Sequence, residues 1–150
     1  MTDPIQTAQD RFAQGFNCSQ AVFSTFAPEL GIPAETALKL ASPFGGGIAR
    51  QGNVCGAVTG ALMVLGLQRG NSTTDKKDET YRMAEEFIKR FQERHGTILC
   101  RELIGYDISK PGELQKAREQ GVIKNICPGL VKSAAELVCA GSLPKSPGGR

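Results

Sequence analysis

The sequence predicts an all-α protein, a single compact bundle of seven or eight helices. Three observations support this prediction: apolar residues recur at helical spacing, capping residues and prolines precede the apolar segments, and strand-type alternation never persists beyond a few residues. Because the chain has 150 residues and 40% of them are hydrophobic, it is long enough to bury one core. We expect one helical domain over residues 1–139 and a flexible tail over 140–150, rich in Pro, Gly and Ser.

Capping residues mark the helix starts in the first half of the chain. Asp3 before Pro4 gives an N-cap and a proline at the first helical position, and Asn17 and Asn53 precede two further apolar segments. Pro33 opens a short helix between those two segments. In chain order, the predicted helices span about residues 4–14, 18–27, 33–41, 54–67, 75–95, 97–104, 111–121 and 128–138.

The segment before the fourth helix is predicted to be a loop. Pro43–Gly52 contains four glycines, too many for regular structure, and glycine gives such a loop unusual backbone freedom. The next segment, Val54–Leu67, is apolar for 14 residues and is shorter than the ~20 residues of a membrane span. We interpret it as a buried helix. Its small-residue stripe, Gly56–Ala61, allows close packing within or between subunits, so a homo-oligomer is compatible with the sequence.

Glycines and prolines also delimit the helices of the second half. The longest helix, at about 75–95, has one apolar stripe surrounded by charges and is followed by Gly96. Gly105 ends a short helix, and Pro111 begins a polar one. Pro128 is expected to begin the last helix.

Composition and charge exclude several classes of function. The net charge is only +3, and basic residues alternate with acidic ones, so a nucleic-acid partner is not expected. No basic segment followed by an apolar one opens the chain, and no membrane span is predicted, so we expect a cytoplasmic protein. Five cysteines in a cytosolic chain are more often metal-binding, catalytic or redox-sensing than structural disulfides.

Four of the five cysteines lie near predicted helix N-termini. This four-cysteine set consists of Cys18, Cys55, Cys100 and Cys127. At a helix start, unpaired N–H groups and the helix dipole favour a thiolate, and Arg50, Arg101 and Lys124 lie close by in sequence. We therefore expect at least one of the four to have a pKa below the ~8.5 of an ordinary cysteine. A thiolate serves thiol redox chemistry and metal ligation alike, and a buried cysteine can also be a simple apolar residue.

Several segments in chain order carry a resemblance to a known family. They are Gly15–Val22, Phe44–Gly47, Cys55–Ala61, Cys100–Gly105 and Cys127. This order resembles the C_GCAxxG_C_C family of small bacterial and archaeal proteins, described as redox-active, over about residues 15–138. One departure is that the family pattern reads Gly-Cys-Ala where this chain reads Cys-Gly-Ala. On a helix, that shift would turn the thiol by about 100°.

The resemblance implies that the four-cysteine set is functional, either as metal ligands or as catalytic thiols. A similar domain is associated with split-Soret cytochromes, and this association favours electron transfer through an iron–sulfur cluster, expected to be [2Fe–2S], with an electron donor or acceptor protein as partner. No C-x-x-C-H motif is present to attach haem. We expect cofactor contacts from Gly46, Gly47, Gly56 and Arg101.

Two alternatives to the iron–sulfur hypothesis remain open. One is a metal-free thiol–disulfide oxidoreductase or redox sensor that uses a pair from the four-cysteine set. The other is a structural zinc-binding module that docks a partner, although such sites commonly use paired local ligands. Neither requires the fifth cysteine, Cys139. One helix should join it to Cys127, and twelve residues at 1.5 Å each would separate the two by about 18 Å along the axis.

Overall fold

The computed structural model describes residues 3–141, which form eight α-helices connected by loops and three short 3-10 turns. The helices are α1 (Pro4–Ala13), α2 (Cys18–Phe26), α3 (Ala34–Ala41), α4 (Gly56–Arg69), α5 (Lys77–His95), α6 (Cys100–Ile104), α7 (Pro111–Glu119) and α8 (Val122–Gly141). No strand occurs in this part of the chain, where an isolated antiparallel bridge between Val54 and Leu99 is the sole β pairing. The predicted all-α bundle is confirmed.

The predicted caps of the first two helices are confirmed. Asp3 precedes α1, and its Oδ1 accepts a hydrogen bond from the backbone N–H of Ile5 at 2.9 Å. Asn17 forms a capping box with Gln20: its Oδ1 accepts from the Gln20 N–H at 2.9 Å, and its own N–H donates to Gln20 Oε1 at 3.0 Å. The start of α2 is therefore fixed at Cys18.

The predicted start of the last helix at Pro128 is wrong. Gly121, with φ of +69°, separates α7 from α8, and α8 begins directly after it at Val122. Pro128 lies inside α8, where it has no N–H to donate to the carbonyl of Lys124. Cys127 consequently lies one and a half turns into a helix rather than before one. The part of the predicted tail beyond Gly141 lies outside the described residues.

Helix α2 is the central element of the bundle and contacts α1, α3, α4 and α8. Its approach to α4 is unusually close because α4 presents glycine to it. A Cβ on Gly60 would lie 2.7 Å from the carbonyl oxygen of Ser19, so only glycine fits there. Around this contact Val22 and Val58 are fully buried. The predicted small-residue stripe thus packs within the chain.

Helix α5 covers the far side of α4 and α8, to which it contributes the buried rings of Phe87 and Phe91. Within residues 3–141, no helix combines the length and the apolar character that a membrane crossing requires. The loop between α3 and α4 and the segment before α6 lie at the N-terminal end of α4, where they form part of the candidate site.

Candidate functional site

All four members of the four-cysteine set line one cavity of about 720 Å³. The thiols come from α2, from the residue before α4, from α6 and from α8, and each residue is only 3–9% exposed. The cavity is lined by Phe12, Gly15, Phe16, Asn17, Cys18, Gly46, Gly47, Arg50, Cys55, Gly56, Cys100, Ile104, Ile108, Leu114, Arg118, Gly121, Ile123, Lys124, Cys127 and Leu130. Four cysteines whose consecutive members are 27 to 45 positions apart in sequence therefore line one space.

Glycine at position 56 allows Cys18 to approach α4. A Cβ there would lie 2.9 Å from the backbone nitrogen of Ser19 and 3.2 Å from the Cβ of Cys18. Cys55 precedes α4 as its N-cap, with φ of −54° and ψ of 135°, so helical geometry does not govern its direction. The exchange of Cys and Gly relative to the family pattern therefore leaves the Cys55 thiol at the cavity, and the predicted 100° rotation does not apply.

The isolated β-bridge places Cys55 beside Cys100. The N–H of Cys55 donates to the carbonyl of Ile98 at 2.8 Å, and the N–H of Cys100 donates to the carbonyl of Asn53 at 2.7 Å. These two bonds join the segment before α4 to the segment before α6. Both thiols are thereby fixed by backbone pairing rather than by side-chain packing alone.

The glycine-rich loop forms a left-handed turn. Five successive residues, Gly46–Arg50, have φ between +51° and +70°, and three of them are not glycine. A left-handed conformation costs about 1–2 kcal/mol for each non-glycine residue, or about 3–6 kcal/mol here. Backbone bonds hold the turn, among them the Gly52 N–H to Gly46 carbonyl bond at 3.1 Å and the Asn53 N–H to Gly47 carbonyl bond at 2.9 Å. Strain of this kind concentrates at functional sites.

This turn sets the wall of the cavity next to Cys100. A Cβ on Gly47 would lie 2.7 Å from the Cβ of Cys100, so the Gly47 backbone packs directly against it. The turn also carries Arg50 to the cavity. The sequence predicted a flexible glycine loop but gave no signal that the left-handed conformation would continue through Ile48 and Ala49.

The charged residues of the cavity lining are all basic. They are Arg50, Arg118 and Lys124, from the left-handed turn, α7 and α8, and no Asp or Glu lines the cavity within the described residues. Arg118 was not predicted as a site residue, because nothing in the sequence indicated that α7 would cover the cysteines. Arg101, predicted as a cofactor contact, lies outside the lining: its guanidinium donates to the Gly52 carbonyl and to Asn53 Oδ1, both at 3.3 Å.

Cys18 and Cys127 form a hydrogen-bonded pair. Donation from the Cys18 thiol lowers the pKa of Cys127, although burial acts in the opposite direction. The same hydrogen bond, followed by burial and by repulsion from the other three thiolates, raises the pKa of Cys18 well above its ordinary value. The predicted lowering is therefore found within the set at Cys127 alone, and its cause is a neighbouring thiol rather than a helix start.

Burial dominates at the other two members of the set. It raises the pKa of Cys55 to about 11, even though the N–H groups of Ala57 and Val58 lower it by hydrogen bonding. Burial, and then repulsion from Cys55, raises the pKa of Cys100 to about 12. A helix start therefore does not lower the pKa of Cys18, Cys55 or Cys100: the interaction with Cys127 and then burial prevail at Cys18, and burial prevails at the other two.

The four thiols surround the cavity without meeting at one point. In the part of the chain that the structure describes, no three His, Cys, Asp or Glu side chains are close enough together to hold a single metal ion. Cys139 lies on α8 twelve residues after Cys127 and does not line the cavity, as the continuous-helix argument predicted. Its pKa is raised by burial and by the nearby Asp3 and Glu136 carboxylates.

Comparison with known proteins identifies the family. The family model described as "Putative redox-active protein (C_GCAxxG_C_C)" matches residues 16–140. This range includes the whole four-cysteine set, helices α2 to α7 and all but the last residue of α8, whereas α1 lies before it. No curated protein and no solved structure matches the sequence. Since the family model covers most of the 150 residues, the chain belongs to the C_GCAxxG_C_C family of redox-active proteins.

Proposed function

We propose that the four-cysteine set forms one redox centre, in which the four thiolates ligate an iron–sulfur cluster and the protein transfers electrons. The observation that carries this proposal is the single cavity lined by all four thiols, which come from four separate elements of the fold. A thiol pair would suffice for disulfide chemistry. Four buried thiols around one space match the ligand number of [2Fe–2S] and [4Fe–4S] clusters.

The chemistry of the thiols fits such a group. Cys55 and Cys100 hold their protons strongly because they are buried and because a neighbouring thiolate repels each of them when ionised, namely Cys127 for Cys55, and Cys55 and Cys127 for Cys100. Coordination to a metal cation removes that proton and compensates the buried charge. The open cavity also fits, because protein interiors normally contain few voids larger than a water molecule.

The spread of the thiols favours a cluster over a single zinc ion. Tetrahedral zinc requires each sulfur about 2.3 Å from the metal, and hence the sulfurs about 3.8 Å from one another. Residues 3–141 contain no group of three or more His, Cys, Asp or Glu side chains that could hold a metal ion. A cluster with several irons separates its ligands further, as four thiols around a cavity require.

The surroundings of the thiols suit a negatively charged centre. Arg50, Arg118 and Lys124 line the same cavity, and a cluster held by four thiolates keeps a net negative charge. Among the described residues, the N–H groups of Gly46 and Gly47 donate to no backbone or side-chain acceptor. Unpaired N–H groups at the cavity wall are available to the sulfurs, where such bonds tune the reduction potential. When bound, the cluster supplies reversible one-electron transfer.

The test is spectroscopic. Protein purified without oxygen, or reconstituted with ferrous iron and sulfide, should be brown and contain about two irons and two sulfides per chain for [2Fe–2S]. Reduction with dithionite should bleach the colour and produce an electron paramagnetic resonance signal. Protein that stays colourless and iron-free after reconstitution, while its five thiols remain reduced, would contradict the proposal.

A second candidate function rests on the hydrogen bond between Cys18 and Cys127. In the metal-free protein we expect these two thiols to form a disulfide by exchange with a disulfide of an oxidising partner. The Cys127 thiolate, whose pKa is lowered, would attack the partner's disulfide, and the Cys18 thiol would then displace the partner from the mixed disulfide, so that the partner leaves as two thiols carrying the two protons and two electrons. Peptide mapping after mild oxidation should find this pair bridged and reducible again. A bridge between any other two cysteines, or none, argues against this function.

A further inference from the structure

The cavity is much larger than the proposed redox centre requires. Its volume is about 720 Å³. If each of four cluster atoms takes the ~30 Å³ of a liquid water, the core of a [2Fe–2S] cluster displaces only about 120 Å³. Most of the cavity would remain, and its size lies within the roughly 300–1,000 Å³ of small-molecule sites.

The remaining lining has two chemically distinct parts. One is apolar and includes the rings of Phe12 and Phe16 and the side chains of Ile108 and Leu114. The other is the basic triad, which we define as Arg50, Arg118 and Lys124. All three triad residues are exposed, whereas the cysteines are buried, so the cations lie toward solvent and the thiols toward the interior.

No acidic side chain neutralises the basic triad. Within residues 3–141, none of its three members takes part in a salt bridge, although other basic residues such as Arg90 and Arg94 do. The triad also comes from three separate elements, which the fold brings to the edge of one cavity. Unpaired cations beside a carboxylate-free, largely apolar space form a site with a clear preference for negative charge.

We propose that this cavity binds a small organic anion, with its carboxylate or phosphate at the basic triad and its apolar body against the Phe12 and Phe16 side of the lining. The binding does not depend on the proposed function. The additional claim, that the bound anion is the redox partner of the thiols, rests on the proposed function. The site then restricts the substrates or regulators of this redox centre to organic anions.

The binding experiment uses two fluorescent probes that share an aromatic body. One, 8-anilinonaphthalene-1-sulfonate, is an anion; the other, N-phenyl-1-naphthylamine, is neutral. Replacing each triad residue singly by Gln should lower the affinity for the anionic probe by about fivefold, which is the upper end of the effect expected for an exposed charge pair. The affinity of the triple variant for the anionic probe should be about 100-fold lower if the free-energy effects of the three substitutions add. Binding of the neutral probe should change less than twofold.

Matched controls remove charge from the same helices without touching the cavity. Lys116→Gln on α7 and Lys132→Gln on α8 change exposed residues outside the lining, so both probes should bind as they do to the unchanged protein. Competition with benzoate and with phenyl phosphate identifies the preferred headgroup. If the triple variant does not fold, the salt dependence of probe binding to the unchanged protein serves as the test instead. Only the affinity for the anionic probe should fall as the NaCl concentration rises.

The failure of this proposal is distinguishable from that of the redox proposal. Cys127→Ser should lose iron or disulfide chemistry and still bind the anionic probe, because the basic triad is intact. Conversely, the metal-free triad variants should bind the anionic probe more weakly than the metal-free unchanged protein does, so the anion site is tested without reference to iron content. A triple variant that binds the anionic probe as tightly as the unchanged protein does, or an anionic-probe affinity that salt does not change, would overturn the anion site.

Discussion

Replacing Gly47 by alanine tests how tightly the left-handed turn packs against the thiols. The new Cβ would lie 2.6 Å from the Asn53 nitrogen and 2.7 Å from the Cys100 Cβ, at a φ of +70°. The left-handed conformation should cost about 1–2 kcal/mol and the overpacking about 1–3 kcal/mol. Together they lower the free energy of unfolding by about 2–5 kcal/mol, a large part of the 5–15 kcal/mol typical of a domain.

Gly105→Ala is the matched control for this substitution. Gly105 also has a left-handed backbone, with φ of +78°, but a Cβ there meets nothing within 4 Å. The difference between the two variants therefore isolates the contacts of the new Cβ with the Asn53 backbone and with Cys100. Urea unfolding of the thiol-reduced proteins should show Gly47→Ala to be less stable by about 1–3 kcal/mol, and alkylation of Cys100 should be faster in it. Equal stability and equal alkylation would refute the close packing of the turn.

Three further predictions concern the thiols. The double variant Cys55→Gly/Gly56→Cys, which restores the family order, should destabilise the protein by about 1–3 kcal/mol in urea unfolding, because a Cβ at position 56 would approach a backbone nitrogen of α2 to 2.9 Å. The free energy of unfolding of the metal-free protein should fall as pH rises from about 9 toward 11–12, because thiols in the unfolded chain ionise near 9.0 whereas Cys55 and Cys100 in the folded protein stay protonated. The decrease should be about 2 kcal/mol at pH 10.5 for Cys55 alone. A free energy of unfolding that does not change over this pH range would exclude the raised pKa values. Pro128→Ala should raise the thermal midpoint by allowing a helical hydrogen bond to the Lys124 carbonyl, and it should leave the alkylation rate of Cys127 unchanged because the Cys18 thiol, not Pro128, lowers the pKa of Cys127; a thermal midpoint that stays the same or falls would contradict the helical-bond argument.

Much of the fold was predictable because local signals decide it. Asp3 and Asn17 cap the helices that follow them, and Gly96 and Gly105 end two others in the left-handed conformation. Pro128 shows the limit of such signals. A proline is typical of a first turn, but tertiary packing of α8 tolerates it inside the helix, so the predicted start was six residues late.

The grouping of four cysteines was predictable from their positions and from the family resemblance, whereas their electrostatics were not. Helix starts favour thiolates only when desolvation is small, and the sequence does not reveal that Cys55 and Cys100 are buried together. Arg118 was missed for a related reason. The polar composition of α7 gives no sign of which face covers the cavity, and only the packing of α7 on α8 brings Arg118 to the lining.

The central claim is that the four-cysteine set forms one centre. The iron content of the five single cysteine variants tests this claim most directly. Each of the five cysteines is replaced by serine in turn, and iron, sulfide and the electron paramagnetic resonance signal are measured after anaerobic reconstitution. We predict that each substitution within the set abolishes the native signal and most of the iron, while Cys139→Ser retains both, because Cys139 does not line the cavity. A full native signal after loss of any member of the set, or its loss with Cys139→Ser, would contradict the account.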